Sequence, residues 1–195
     1  MLIAISGSQG VGKTTLLQHL SKGNYTVDTF KVSRAVQKEM GYSSLCSAVD
    51  TFEKMKKFQE NIILRKFEHD SRLIENIGDK IVFTERSFID VLAYAELWCT
   101  HFPKMKSSTS NWLCGFKEAC FNFQNIYSGL VLIEPNDSIR FEDDPERGAV
   151  ETQRQIDRRL KELSGYLNIP VQFIDVHDIN ERVQVVVNFV NGLSS

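Results

Sequence analysis

The feature that most constrains this chain is the octapeptide GSQGVGKT at residues 7–14, which matches the pattern GxxxxGK[ST] in full. An apolar stretch, residues 2–6, precedes the octapeptide, and a helix-forming segment follows it. Glycines in such a loop let the backbone approach an anion closely, and the amide groups of the loop and of the next helix then point at that anion. The pattern therefore predicts a strand, a phosphate-binding loop and a helix, in that order.

The side chains of such a loop have distinct expected roles. Lys13 is expected to reach the β- and γ-phosphates of a nucleoside triphosphate, and the Thr14 hydroxyl to bind Mg²⁺. The predicted nucleotide-binding residues are Gly7, Gln9, Gly10, Val11, Gly12, Lys13, Thr14 and Thr15. The loop thus predicts ATP and Mg²⁺ as cofactors and leaves the reaction open.

Extended and helical patterns alternate along the chain. The predicted strands are residues 2–6, 25–30, 81–84, 130–133 and 171–176, and the predicted helices are residues 13–21, 33–40, 50–77, 87–101, 112–126, 145–167 and 179–190. The Ser-rich residues 106–111 are expected to form a surface loop. The alternation predicts an α/β fold in one domain, residues 1–195, with a parallel sheet of about five strands and helices on both faces.

Charge and composition narrow the choice of partners. A net charge of −2 gives no general attraction to nucleic acid or to an anionic membrane. No apolar run approaches the ~20 residues that a membrane span needs, and Gly7 and Gly10 interrupt the apolar start too early for a secretory signal. The four cysteines form no CxxC pair and are expected to be free thiols. We therefore expect a cytoplasmic protein without membrane contact, of undetermined oligomeric state.

An acid and an arginine end the third predicted strand, in KIVFTERS at residues 80–87. Glu85 could hold Mg²⁺ through water or accept a proton from an attacking hydroxyl. Arg86 could bind a phosphate through two parallel hydrogen bonds. The alternative is a solvated strand end, and Ser87 and Asp90 are assigned to a capping box that opens the next helix. We assign Glu85 and Arg86 to catalysis, because the carboxyl ends of parallel strands are where ligands bind.

Three segments together resemble the nucleoside and nucleotide kinases of the P-loop superfamily: the glycine loop, TERSFIDVLAY at residues 84–94, and the helix that carries Phe58 and Gln59. Thymidylate kinases end the third strand with Asp-Arg, and deoxynucleoside kinases with the Glu-Arg-Ser found in this chain. The segment order, including SRAVQKEMG at residues 33–41, is also similar to small AAA-type ATP-binding kinases of phage and bacteria. The resemblance implies a P-loop kinase fold with ATP, Mg²⁺, a mobile helical lid and an acceptor held under the long third helix.

The resemblance also implies where an acceptor would lie. Gln59 falls inside the apolar stripe of the long helix and would bind a base, unless it is bonded to backbone; Phe58 could form an apolar wall. Arg34 stands where monophosphate kinases commonly have an arginine for the substrate phosphate, although a surface salt bridge explains it equally well. Glu85 is the first candidate for a general base and Asp28 the second. Deoxynucleoside kinases usually carry their base as a glutamate after the second strand, and this chain has no glutamate there.

The lid is expected at about residues 136–158. In the helix predicted from Pro145, three arginines lie opposite the apolar face: Arg147, Arg154 and Arg158. Such a face is usually solvated, but its position after the fourth strand corresponds to the lid arginines of the superfamily, which neutralise charge during transfer. We expect Arg147 first and Arg154 second to be catalytic, with Arg140 as a third candidate.

The favoured interpretation is an ATP-dependent kinase acting on a nucleoside or nucleotide, with a deoxynucleoside monophosphate as the first choice of acceptor. One alternative acceptor is a hydroxymethylated pyrimidine in DNA, for which residues 54–57 and 104–106 could form a local basic patch. Another alternative is a nucleotide-binding ATPase or switch module. The chain lacks the Asn-Lys-x-Asp motif that would select guanine, which argues against that option.

Overall fold

The computed structural model describes residues 1–23, 25–135 and 150–194. Within these ranges, five parallel strands form one sheet in the order β2–β3–β1–β4–β5. The strands are β1 Leu2–Ser6, β2 Thr26–Asp28, β3 Val82–Glu85, β4 Gly129–Ile133 and β5 Val171–Ile174. The predicted α/β fold with a parallel sheet is confirmed. The only marked difference among the strands is that β2 is shorter than the predicted residues 25–30.

Helices cover both faces of the sheet, as predicted. They are α1 Lys13–Lys22, α2 Val32–Glu39, α3 Leu45–Ala48, α4 Phe52–Ile77, α5 Phe88–Cys99, α6 Lys106–Gln124, α7 Val150–Ser164 and α8 Ile179–Leu193, with a 3₁₀ turn at Pro103–Met105. Alternate residues of β1 point to opposite sides, so that Ile3 and Ile5 join the apolar core under α1 and α8. Leu2 and Ala4 join the larger core, which includes residues of α4, α5, α6 and α7.

The prediction of a surface loop at residues 106–111 is wrong, because these residues form the first turns of α6. Serine and threonine are tolerated there, since the first amide groups of a helix have no carbonyl partner within the helix. The Thr109 side chain is buried and donates to the Lys106 carbonyl at 2.9 Å. Aromatic contacts of Phe52 with Phe102 and Trp112 hold this end of α6 against α4. Tertiary packing therefore extends the helix beyond its local propensity.

A buried polar cluster fixes α4 relative to the start of β4. The Tyr127 hydroxyl donates to Asp70 Oδ2 at 2.5 Å, and Lys66 Nζ lies 2.9 Å from the same oxygen. All three side chains are less than 4% exposed. Burial, and next the neighbouring Asp70, raise the pKa of Tyr127 well above its ordinary value. The phenol therefore stays protonated and remains the donor that anchors the long helix.

The strand register brings the candidate site residues to one edge of the sheet. Ile5 is paired with Glu85, and Asp28 is paired with Thr84. The glycine loop that follows β1 therefore begins beside the ends of β2 and β3. The three segments lie at the carboxyl edge of the strands, where α/β folds of this type bind ligands.

No helix within the described ranges is both long enough and apolar enough to cross a membrane.

Candidate active site

The glycine loop has the backbone geometry that its sequence predicts. Gly7 has a φ of +145°, and a Cβ there would lie 2.8 Å from the Ile133 carbonyl oxygen and 2.9 Å from a methyl group of Val11. Gly12 has a φ of +91° and is the residue from which α1 begins. A side chain at either position would be strained, so both glycines are required by the path of the loop.

Lys13 folds back onto the loop that carries it. Its Nζ donates to the carbonyl oxygens of Gly7 at 2.8 Å and Ser8 at 2.6 Å, and the residue is only 5% exposed. Burial, and next the positive charge of Arg86, lower the pKa of Lys13 to about 7. The ammonium group thus lies in a site that disfavours its charge, and an anion in the loop would reverse that preference.

A cleft of about 390 Å³ opens beside this loop. Loop and α1 residues form one wall, and the other walls come from the segment after β2, from α3 and from the end of β3. The lining residues are Gln9, Gly10, Gly12, Lys13, Thr14, Thr15, Phe30, Lys31, Val32, Ser33, Arg34, Leu45, Glu85 and Arg86. The structure therefore brings most of the predicted nucleotide-binding residues into one cleft with Arg34, Glu85 and Arg86.

Glu85 and Arg86 both line this cleft at the end of β3, and their assignment to catalysis stays a prediction. Glu85 Oε2 is buried and forms no hydrogen bond with any described residue. Arg86 has a φ of +68°, and among the described residues it is the one non-glycine residue in the left-handed region. Its guanidinium lies 5.1 Å from the ring centre of Tyr94. A left-handed conformation costs about 1 kcal/mol or more for a residue with a Cβ, and such strain is commonly found at functional positions.

Asp90 links Arg86 to the glycine loop, a role that the sequence did not reveal. Its Oδ2 accepts hydrogen bonds from the Ser6 hydroxyl at 2.6 Å and from the Ser87 amide at 2.8 Å. Its Oδ1 lies 3.4 Å from both the Gly7 amide and Arg86 Nη1. The capping box predicted for Ser87 and Asp90 is present. The fully buried carboxylate of Asp90 also orients the start of the glycine loop and the side chain of Arg86. The capping pattern in the sequence did not predict these two contacts.

The acceptor residues predicted on α4 are buried and are not among the residues that line the cleft. Phe58 is 3% exposed and packs edge to face against Tyr42, with ring centres 6.1 Å apart. Gln59 is also 3% exposed, and its side-chain amide forms no hydrogen bond with any described residue. Arg34 is exposed in the first turn of α2 and does line the cleft. The structure therefore places Arg34 opposite the loop, while Gln59 lies in the adjoining core.

Asp28 is held in place by several donors at the end of β2. Its Oδ2 accepts hydrogen bonds from the Thr84 hydroxyl and the Phe30 amide, both at 3.3 Å. His69 Nε2 lies 3.1 Å from the same oxygen but forms no hydrogen bond with it. The Asp28 carboxylate is thus already engaged in hydrogen bonds, and Asp28 is not among the residues that line the cleft, whereas Glu85 lines it and has an oxygen without a described partner. Glu85 therefore remains the better candidate for a general base.

Helix α7 reaches the glycine loop directly. Gln153 Nε2 donates to the Gln9 carbonyl at 2.9 Å. Arg159 pairs with Glu96 of α5 through two hydrogen bonds of 2.5 and 2.7 Å. Arg154, next to Gln153, is exposed. The first-choice lid residue Arg147 and the third candidate Arg140 lie outside the described residues, as do residues 136–149 of the expected lid.

Arg182 of α8 supports the loop from behind, and sequence reasoning did not select it. Its Nη1 donates to the Val11 carbonyl and its Nε to the Val176 carbonyl, both at 2.8 Å. A Cβ on Gly12 would lie 3.0 Å from the same Nη1. Only the position of an arginine in the first turn of the last helix could have signalled this contact, and that position alone is not specific.

The sequence matches a family model described as an AAA domain over residues 2–182. Among curated proteins, none is similar enough in sequence to match.

Solved structures of similar fold include three kinds of protein. Deoxyadenosine kinase from M. mycoides, with the products dCMP and a flexible dCDP bound, is 16% identical with a TM-score of 0.66, over 98% of this chain and 100% of that one. The NadR protein in complex with NR is 14% identical with a TM-score of 0.67, over 97% of this chain and 51% of that one. Shikimate kinase from Aquifex aeolicus is 19% identical with a TM-score of 0.55, over 100% of this chain and 98% of that one. At these identities the similarity concerns the fold.

Proposed function

The chain belongs to the AAA-domain family that it matches over residues 2–182, and we propose that it is an ATP-dependent kinase that phosphorylates a nucleoside or nucleotide. The observation that carries this proposal is the cleft in which the glycine loop faces Glu85, Arg86 and Arg34. The loop supplies amide groups and a lysine for a triphosphate, and the opposite wall supplies a carboxylate and two guanidinium groups for an acceptor. Phosphoryl transfer requires mainly such positioning and neutralisation of charge.

The nucleotide side of the cleft suits ATP with Mg²⁺. Thr14 is exposed at the start of α1 and lines the cleft, so its hydroxyl is accessible to a metal ion. Glu85 has a buried carboxylate oxygen without a hydrogen-bond partner among the described residues. Mg²⁺ prefers oxygen ligands and often takes only one or two from protein, the others coming from phosphates and water. When bound, the ion would neutralise charge on the β- and γ-phosphates, while Lys13 would hold the same phosphates from the loop.

The acceptor side suits an anionic substrate. Two arginines in one cleft favour a phosphate on the acceptor, so a deoxynucleoside monophosphate is our first choice. Arg86 is held by Asp90 and lies over the ring of Tyr94. Its guanidinium is thus oriented before a substrate arrives. If the acceptor is instead an uncharged hydroxyl, Glu85 is the group that would accept its proton.

Gln59 is proposed to read the base of the acceptor. The Gln59 amide forms no hydrogen bond with any described residue, and its atoms are not among the fully buried polar atoms that lack a partner, so the amide keeps a small contact with solvent through which it could bind a ligand. A base edge offers one donor and one acceptor, which is the complement of a side-chain amide. Phe58 would then support Gln59 from the core.

Helix α7 is proposed to form part of the lid. Gln153 of this helix donates to the glycine loop, and Arg154 is the next residue along the chain and is exposed. An arginine that approaches the phosphates from this helix would neutralise the charge that develops during transfer. Arg154 is proposed for this role together with Arg147.

A screen for transfer of label from γ-labelled ATP tests the proposal. The protein is incubated with Mg²⁺ and ATP against the common nucleosides, their monophosphates, and DNA with and without hydroxymethylated pyrimidines. We expect label in one class of nucleoside or nucleotide and none with Lys13→Ala, whereas Lys22→Ala, at an exposed lysine on the same helix, should remain active. Label found only in DNA would show that the acceptor is DNA and not a free nucleoside or nucleotide. Hydrolysis without transfer to any acceptor would contradict the kinase function.

A further inference from the structure

Arg182 is a buried arginine that joins two loops at the carboxyl edge of the sheet. It lies in the first turn of α8, is 4% exposed, and donates to one carbonyl in the glycine loop and to one after β5. These are the carbonyls of Val11 and Val176. The side chain therefore ties the phosphate-binding loop to the segment that connects β5 with α8.

The charge of Arg182 has no anionic partner among the residues that the structure describes. No carboxylate of a described residue lies within 4.0 Å of its guanidinium, and the residue forms no interaction besides those given. Burial lowers the pKa of this guanidinium, but arginine stays protonated in proteins. Two carbonyl oxygens satisfy two of its donors, and no carboxylate of a described residue compensates the positive charge. Buried charges are normally paired, so this position favours an anion bound nearby.

The geometry of one peptide bond connects Arg182 to the cleft. In a trans peptide the carbonyl group and the following amide group point in opposite directions, and no cis peptide occurs among the described residues. The Val11 carbonyl points at Arg182, so the Gly12 amide points away from it. Gly12 lines the cleft. The guanidinium therefore lies directly behind a peptide group whose N–H is available to a phosphate.

We propose that Arg182 is a positioning residue for the triphosphate. It fixes the orientation of the peptide between Val11 and Gly12, and its positive charge lies behind the loop that receives the phosphates. The proposal rests on the proposed binding of ATP in this cleft. It predicts that replacing Arg182 weakens the binding of a nucleotide more strongly when that nucleotide places more phosphates in the loop.

The test compares affinities for ATP and AMP, measured by calorimetry with the full chain, in Arg182→Gln and Arg182→Lys. We expect Arg182→Gln to lower the preference for ATP over AMP by about tenfold, which corresponds to about 1.4 kcal/mol. Arg182→Lys keeps the charge but has a single amino group for two carbonyls, so a decrease of about threefold is expected. Arg72→Gln, an equal change of charge at an exposed site on α4, should leave the preference unchanged.

The outcomes separate this inference from the proposed function. Equal losses for ATP and AMP, or no loss, in Arg182→Gln would overturn the positioning role while the kinase function stands. A wild-type protein that binds no ATP would overturn both. If circular dichroism shows that Arg182→Gln is unfolded, the Arg182→Lys variant decides: an unchanged preference overturns the role, and a decrease supports it.

Discussion

The ammonium nitrogen of Lys13 lies 2.6 Å from the carbonyl oxygen of Ser8, within the same loop. The lysine thus forms hydrogen bonds with the loop that it is proposed to complete around a phosphate. Its buried position, with Arg86 nearby, brings its pKa to about 7 from the ordinary value of 10.5. A nucleotide must therefore both replace the carbonyl partners and favour the charged form of the side chain.

Binding of ATP above pH 7 should be accompanied by proton uptake at Lys13. At pH 8 most Lys13 side chains are neutral, and a triphosphate would restore the charge, so we expect uptake of about one proton per site. Calorimetry in two buffers of different ionisation enthalpy measures this number. Lys13→Ala should take up no proton on any residual binding. Uptake that persists in Lys13→Ala would assign the proton to another group.

The lowered pKa of Lys13 also makes the free energy of unfolding depend on pH. Between about pH 7 and 10.5 the unfolded chain holds a proton on Lys13 that the folded chain has lost. The contribution of Lys13 to the free energy of unfolding therefore rises with pH across this window, and Lys13→Ala should show a correspondingly weaker rise. Urea unfolding of both proteins at several pH values tests the sign. A steeper rise in Lys13→Ala would contradict it.

Replacement of Arg86 should lower kcat/KM for the acceptor and leave the affinity for ATP nearly unchanged. Arg86→Ala removes the guanidinium from the cleft wall opposite the loop, and we expect kcat/KM for the acceptor to fall by about 100-fold or more. At about pH 6, where Lys13 is mostly charged in both proteins, affinity for ATP should change by less than about twofold, which corresponds to under ~0.5 kcal/mol. Steady-state kinetics and direct ATP binding separate the two effects. A loss of ATP binding with unchanged acceptor kinetics would be incompatible with the role of Arg86.

Asp90→Asn should destabilise the fold strongly. An amide places a donor where the carboxylate now accepts hydrogen bonds from Ser6, Ser87 and Gly7. Breaking such a buried charged network costs about 3 kcal/mol or more. Chemical denaturation measures the loss, with Asp79→Asn at an exposed position as the control. Equal stability of the two variants would show that Asp90 is not the link between the loop and α5.

Gln59→Leu should change base preference without destabilising the protein. Leucine has a similar volume, and the amide that it replaces forms no hydrogen bond with a described residue, so the free energy of unfolding should stay within about 1 kcal/mol of the wild-type value. The ranking of acceptor bases should change, as measured in the transfer screen. Asn61→Leu, on the exposed face of the same helix, should retain the original ranking. An unchanged ranking in Gln59→Leu would return this residue to a purely structural role.

Features that depend on local sequence could be predicted, and they include the most specific part of the site. The loop pattern around Lys13 encodes strand, turn and helix within a few residues. Parallel strands end at a common edge, which is why Glu85 and Arg86 could be assigned to the same cleft from the pattern of β3 alone. The capping box at Ser87 was predicted for the same reason, since its hydrogen bonds span three residues.

Features that depend on distant parts of the chain could not be predicted. The contact of Arg182 with Val11 joins residues 171 positions apart, and the hydrogen bonds of Asp90 to Ser6 and Gly7 join residues more than 80 positions apart. The start of α6 depends on aromatic packing against α4, which overrides the loop propensity of its serines. Such contacts appear only when the elements are assembled.

The left-handed backbone at Arg86 has a consequence for anyone who engineers this chain. Glycine would adopt that conformation without strain, but it would also remove the guanidinium that pairs with buried Asp90. A stabilising change elsewhere in the chain could therefore be combined with the native arginine, whereas a change at this position exchanges activity for relief of backbone strain. Stabilised forms of this protein should be selected for turnover and thermal resistance in the same experiment.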